Sequence, residues 1–245
     1  GNLSTITGIG TGSEPFRAAE RRTIKQGFTL AEVLITLGII GVVAAMTLPS
    51  VIGHYRASIF ESQLKKAYST LQNINMQLVS REISPYYDYD ISLKGTEILD
   101  KQTSDIASYI NGAELCDSSK KTKCNRKYKN LTNIKSQHIG PISNKMSIFL
   151  PDGMIIWCGK YHWLFIDING LKGPNRTGWD LHVFKITEKN SIVPVTDPAH
   201  DTRPCTLSNP LSEDSYLGYG CTEYALINKN PDGDGNYWND FLNLK

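Results

Sequence analysis

No Gly-x-Ser-x-Gly, no His-Glu-x-x-His and no phosphate-binding loop occurs in the 245 residues. There is thus no nucleophile elbow, zinc-protease helix or nucleotide cradle on which a reaction could be built. The five histidines are scattered and supply no recognisable catalytic set. Five cysteines are present without a Cys-x-x-Cys pair, and His162 follows Cys158 alone, so zinc finds no ligand set. An excess of one charge is missing too. The formal charge of +2 comes from the first residues: Arg17, Arg21, Arg22 and Lys25 against Glu14 and Glu20. Beyond them, 22 basic and 22 acidic residues balance, which removes any global electrostatic case for nucleic acid. The opening "GNLSTITGIGTGSEPF" has neither helical nor strand periodicity and reads as disordered and mechanistically silent. The rest is ordinary: 40% hydrophobic residues, enough for one or two domains around a core.

Charge is absent in one more place. Val33 to Gly53 holds 21 residues without any, and as a helix this run reaches roughly 30 Å, the thickness of a bilayer core. Gly38, Gly41, Ala44 and Ala45 give it a small-residue face on which helices can approach closely. The basic residues before it leave the N-terminal side in the cytoplasm and the remainder outside; Arg56, Lys65 and Lys66 weaken that bias without reversing it. Yet Glu32 stands at the start of the run, where an ionised carboxylate near hydrocarbon is costly and is ordinarily paired. A secretory signal cut near Ala45, with Val43 as the other small residue, is one reading. A plain membrane anchor is a second. Neither uses Glu32.

The third reading does. Gly27-Phe28-Thr29-Leu30-Ala31-Glu32 followed by a membrane-length apolar run resembles the processing site of type IV prepilins and of type II secretion pseudopilins. The resemblance covers Lys25 to about Gly53. It implies that a prepilin peptidase cuts between Gly27 and Phe28 and N-methylates Phe28. Glu32 becomes the fifth residue of the product, and Pro49 falls where many pilins carry a helix-bending proline. The family's glutamate meets the N-terminal amine of a neighbouring subunit, so Glu32 is expected to be an assembly handle. The implied partners are the peptidase, other pilin or pseudopilin subunits in a helical filament, and an inner-membrane assembly platform. The implied location is the inner membrane, single-pass with the head outside, and then a filament. The chain is on this reading a substrate and structural subunit, not an enzyme. A membrane-anchored binding or hydrolytic domain and a DNA-uptake minor pilin remain as alternatives.

Past Pro49, Phe60, Leu64, Ala67, Leu71, Ile74 and Leu78 recur at four- and three-residue steps and line one helical face. A short coiled coil would use such a stripe, but a strand-rich segment follows, so a helix covering a sheet is expected. "MSIFLPDGMIIWC" (146–158) reads as a hairpin around Pro151-Asp152-Gly153. "WLFIDINGLKGPNRTGWDLHVFKI" (163–186) gives two further strands around a Gly-, Asn- and Pro-rich connection, and its "IDINGLKGPN" portion resembles the heads of some prepilin-type proteins. Tyr86 to about Lys145 reads as an irregular connection. The expected fold is α+β and pilin-like, a long N-terminal helix packed on an antiparallel sheet. Its expected parts are a leader (1–27), a transmembrane and polymerisation helix (28–53), an amphipathic helix (54–81) and a globular head (82–245).

Three features of the head invite function. Cys205 and Cys221 frame a turn-rich loop like the disulfide-bounded loop of many type IV pilins, in the oxidising setting of an exported head. Cys116 and Cys124 close a shorter loop, leaving Cys158 over. "NPDGDGNYWND" brings Asp232, Asp234, Asn236 and Asp240 together. This is how a calcium loop begins, but Tyr237 stands where that loop needs glycine, and an exposed acidic turn is the default. Some pseudopilins do bind calcium in this C-terminal region; no other cofactor is expected. Lys120–Lys129, the one dense basic run, has a single aromatic, Tyr128. It reads as a solvated loop sooner than a surface for stacking bases.

Overall fold

The computed structural model describes residues 27–86, 97–117, 119, 124, 126–134, 146–196, 205–208 and 216–244. The disordered opening segment and most of the leader expected from the sequence lie outside them. The chain divides into two compact units, residues 1–45 and 46–245. The first element is a helix, α1 (Leu30–Ser80), with Pro49 inside it. Proline brings no N–H to the carbonyl four residues back, so the hydrogen-bond ladder loses a rung at Ala45. Apart from Ala44, every residue from Gly27 to Ile52 is exposed.

In the second unit α1 buries Gly53, Ala57, Leu64, Ala67, Leu71, Ile74, Asn75 and Leu78. Each fully buried Leu or Ile contributes about 1.5–3 kcal/mol. On the outer face Lys65 pairs with Glu61 at 2.6 Å, one turn apart. The helix stops where Glu82 turns left-handed (φ 59) and the Ile83 N–H returns to the Leu78 carbonyl at 3.0 Å.

The connection expected to be irregular contains regular structure. Residues 97–108 form α2 (Glu97–Ser108), and Glu114–Asp117 form the edge strand β1. The physical reason is that polar residues fill part of α2's buried stripe. Ile98, Leu99, Ile106 and Ala107 are buried, but so are Gln102 and Thr103 between them. Gln102 Nε2 donates to the Pro85 carbonyl at 2.8 Å and Thr103 Oγ1 to the Leu99 carbonyl at 2.7 Å. Satisfied in this way they cost little to bury, and they interrupt the apolar period that would have announced a helix.

The sheet is a six-stranded antiparallel meander in chain order: β1, β2 (Met146–Phe149), β3 (Ile155–Gly159), β4 (Trp163–Asp167), β5 (Leu181–Ile186) and β6 (Ile192–Pro194). The expected hairpin is β2–β3, with Ile148 opposite Ile156 and Gly153 (φ 90) in the turn. The two further strands are β4 and β5, in register from Trp163 opposite Lys185 to Asp167 opposite Leu181. Ile148, Ile156, Cys158, Leu164, Ile166, Phe184 and Ile186 belong to the cluster shared with the α1 stripe. Tyr68 stacks on Phe184 with centroids 5.6 Å apart. Gln72 and Asn75 reach across to donate to the carbonyls of Ile192 and Asn190, so α1 also caps polar groups at the β6 end of the sheet.

The opposite sheet face is covered as well. Ile155, Trp157, Trp163, Phe165, Leu181 and Val183 form a second cluster under Tyr128 and Tyr219. Burial on both faces explains why β3 and β4 read as unbroken apolar runs, not as alternation. The chain closes with α3 (Cys221–Ile227) and a π turn, Tyr237–Phe241, whose Trp238 is wholly buried and donates through Nε1 to the Ala225 carbonyl. The architecture is α+β, a long N-terminal helix followed by an antiparallel sheet, consistent with a pilin-like fold.

Candidate functional site

At the N-terminus the residues are arranged by one local motif. Thr29 precedes α1 and Glu32 is the third residue inside it. The Thr29 N–H and hydroxyl both donate to Glu32 Oε2 at 2.8 Å, and the Glu32 N–H donates back to Thr29 Oγ1 at 3.2 Å. This reciprocal arrangement is a capping box, which satisfies donors that the first helical turn leaves open. The spacing Thr-x-x-Glu is a general helix-start signature, which gives Glu32 a local role besides the one the resemblance implies. Phe28, just before it, is 88% exposed. Gly38 and Gly41 have open space where a side chain would stand, so the small-residue face is uncovered.

In the globular unit the structure joins Cys205 to Cys221 and Cys116 to Cys124, with Cα atoms 4.9 Å and 5.7 Å apart. Cys158 is free and buried, and desolvation pushes its thiol up to about 12, which removes thiolate reactivity at neutral pH. The acidic turn is largely spoken for by backbone. Asp232 Oδ2 accepts from the N–H groups of Leu207 and Ser208, tying the turn to the Cys205 segment. Asp240 Oδ2 accepts from the Asn236 N–H, and Asn236 Oδ1 from the Asn239 N–H. Among the described residues no group of three or more His, Cys, Asp or Glu side chains is placed to hold a metal ion. Of the basic run, residues 120–123 and 125 lie outside the described residues. Arg126 and Tyr128 are turned inward instead of forming a patch, and Lys129 donates to Asn133 Oδ1 at 2.8 Å.

Residues 22–48 match the family model described as the prokaryotic N-terminal methylation motif. The match supports a likeness of this N-terminal segment to the type IV prepilin-like family. Neither a curated protein nor a solved structure matches the chain. The prepilin-like motif marks a family of structural subunits, not of enzymes, and α1 contains a stretch long and apolar enough to cross a membrane. Motif and helix together point to membrane anchoring.

The globular unit also has a buried polar clasp that the sequence alone does not announce. Arg126 Nη1 lies 2.9 Å from Asp167 Oδ2 and also bonds the Gly170 carbonyl. Tyr128 donates to the same Oδ2 at 2.8 Å, while Asp167 Oδ1 accepts from the Gly170 and Asn169 N–H groups. Burial, with the Asp180 charge adding to it, pushes the Asp167 carboxyl up to about 8 despite the guanidinium beside it. Asp180 holds the other end of the connection through the N–H groups of Asn175 and Arg176. These groups fasten segment 126–134 over the second sheet face. The signal available in the sequence was the pair of aspartates bracketing a Gly-, Asn- and Pro-rich connection, but nothing local names Arg126 as the partner.

Proposed function

We propose that this protein is a structural subunit of a type IV pilus or a type II secretion pseudopilus. In this reading prepilin peptidase removes residues 1–27 and N-methylates Phe28, segment 28–53 holds the subunit in the inner membrane, and residues 54–81 carry the helix into a head of residues 82–245 outside the cytoplasm. An assembly platform then draws the subunit into a filament, where the exposed apolar face of α1 packs against other subunits. The observation that carries this is the conjunction of the methylation motif with an apolar helix whose small-residue face is uncovered.

Thr29 lies beyond the proposed cut, so the capping box survives processing. Both of its bonds to the carboxylate fall on Oε2. Oε1 is then the oxygen left for the Phe28 amine of a neighbouring subunit, which gives Glu32 a cap in its own chain and a handle toward the next. Expression in membranes with and without a prepilin peptidase tests the reading. The peptidase is expected to produce a chain shortened by its leader, and unchanged mobility in both preparations would contradict it.

A further inference from the structure

A groove of about 1130 Å³ opens beside the β5–β6 hairpin, on the globular unit alone. Among the described residues that line it, Lys160, Lys185 and Lys189 stand against one carboxylate, Glu188. The three lysines are exposed, and none makes a salt bridge among the described residues. A local surplus of cations in a chain that is otherwise balanced asks for an anion.

The wall between β3 and β4 supplies the second observation. Tyr161 and His162 are consecutive non-glycine residues in the left-handed region, at φ 61 and 60. Backbone strain of this kind costs free energy and concentrates at functional sites. Its effect here is to hold the Tyr161 ring out, 61% exposed, while His162 turns to stack on Tyr86 with centroids 3.9 Å apart. Thr187 and Ser191 add hydroxyls along the floor. Among the described residues the groove thus offers one largely exposed aromatic ring, Tyr161, whose ring also meets Trp163 with centroids 5.5 Å apart, with a row of point cations and hydroxyl partners.

We infer that this groove binds an acidic polysaccharide, its carboxylates on the lysines and the apolar face of a sugar ring on Tyr161. Single-stranded nucleic acid fits less well, because its binders stack successive bases on several aromatics and Tyr161 is the one exposed ring among the described lining residues. The described lining residues also include no arginine, whose planar fork matches phosphate. The site is independent of the filament reading; only its exposure to surface polysaccharide rests on that reading.

The test is calorimetric titration of the full chain in detergent with polygalacturonate, with neutral dextran and a single-stranded oligothymidylate as comparators. Polygalacturonate is expected to bind in a salt-sensitive manner, and dextran and the oligonucleotide to bind at least about tenfold more weakly. Combining Lys160→Gln, Lys185→Gln and Lys189→Gln should weaken polygalacturonate by about tenfold, the sum expected of three exposed charge contacts. Tyr161→Asn should do the same while keeping the melting temperature, since asparagine accepts the left-handed backbone that tyrosine strains to adopt. The inference is overturned by no polygalacturonate binding, by equal dextran binding, by tighter lysine-dependent oligonucleotide binding, or by variants that keep wild-type affinity.

Discussion

Replacing Arg126 with methionine removes the one cation held against a carboxylate that the fold buries completely. The side chains of Arg126 and Asp167 are 9% and 0% exposed, so solvent does little to screen the pair. After the substitution Asp167 keeps the Tyr128 hydroxyl and two backbone donors, while the Gly170 carbonyl loses its side-chain donor. Breaking such a pair costs about 3–5 kcal/mol when the remaining carboxylate must stay ionised. In a chain of this size that is a melting-temperature drop on the order of 10 °C. The loss depends on pH in a defined direction. A carboxyl raised to about 8 in the folded state and near 4 when unfolded is protonated in the fold over a range where the unfolded chain has released its proton. It therefore contributes most stability at low pH, and that contribution is lost as the pH rises through about 8. His182 runs the other way, since burial depresses it to about 3 and its contribution is lost as pH falls below about 6.5. The two oppose each other between about 4 and 6.5, and above 6.5 Asp167 acts without that opposition. Stability of the wild type should fall from about pH 6.5 to about pH 8, and Arg126→Met should be more damaging above about pH 8, where the wild-type carboxylate ionises against its guanidinium, than below it. All four tryptophans, Trp157, Trp163, Trp179 and Trp238, lie in the globular unit, so their fluorescence reports its unfolding without interference from the apolar helix. Arg126→Met combined with Asp167→Asn should recover much of the loss. A single variant melting within a degree or two of wild type well above pH 8, where Asp167 is ionised in the wild-type fold, or a double variant no better than the single, would refute the reasoning.

Glu32→Gln keeps an oxygen for the Thr29 N–H and so preserves the capping box, but removes the charge. It should insert normally yet leave few sheared filaments in cells without wild-type subunit, as should Glu32→Ala; wild-type filament content in Glu32→Gln would show that the charge is dispensable. Cys205→Ser with Cys221→Ser should cost about 3 kcal/mol by freeing a loop of sixteen residues in the unfolded chain, read as an earlier urea midpoint under oxidising conditions. No shift would mean that the bond contributes nothing. Gly170→Ala should destabilise by about 2 kcal/mol or more, because Gly170 has φ 63 and a Cβ there would collide with the Gly153 carbonyl oxygen of the β2–β3 turn. A neutral result would mean that the two turns are not held together.

The features legible in the sequence were those carried by neighbouring residues. The N-terminal methylation motif is one continuous stretch, residues 22–48, so it could be matched without a fold. The β2–β3 hairpin has its turn written in Pro151-Asp152-Gly153, and the α1 stripe repeats often enough to fix which face is buried. Helix α2 was hidden because Gln102 and Thr103 occupy core positions. The covering of the second sheet face was hidden for another reason. Tyr128 and Tyr219 arrive there on segments whose paths are set by the Cys116–Cys124 and Cys205–Cys221 bonds and by Arg126 reaching Asp167, 41 residues away. Such a pairing leaves no local period, and it makes a dense basic run look like a solvated loop when two of its members belong to the core. The groove beside β6 was hidden likewise, since the stacking of Tyr86 on His162 joins distant parts of the chain.

The central claim is that the chain is a prepilin processed between Gly27 and Phe28. Mass spectrometry of the N-terminal peptide, from membranes of cells with an active prepilin peptidase, tests it most directly. The expected product is a peptide beginning at Phe28 with one added methyl group on its amine. A chain beginning after Ala45, or one that retains its leader beside the active peptidase, would contradict it.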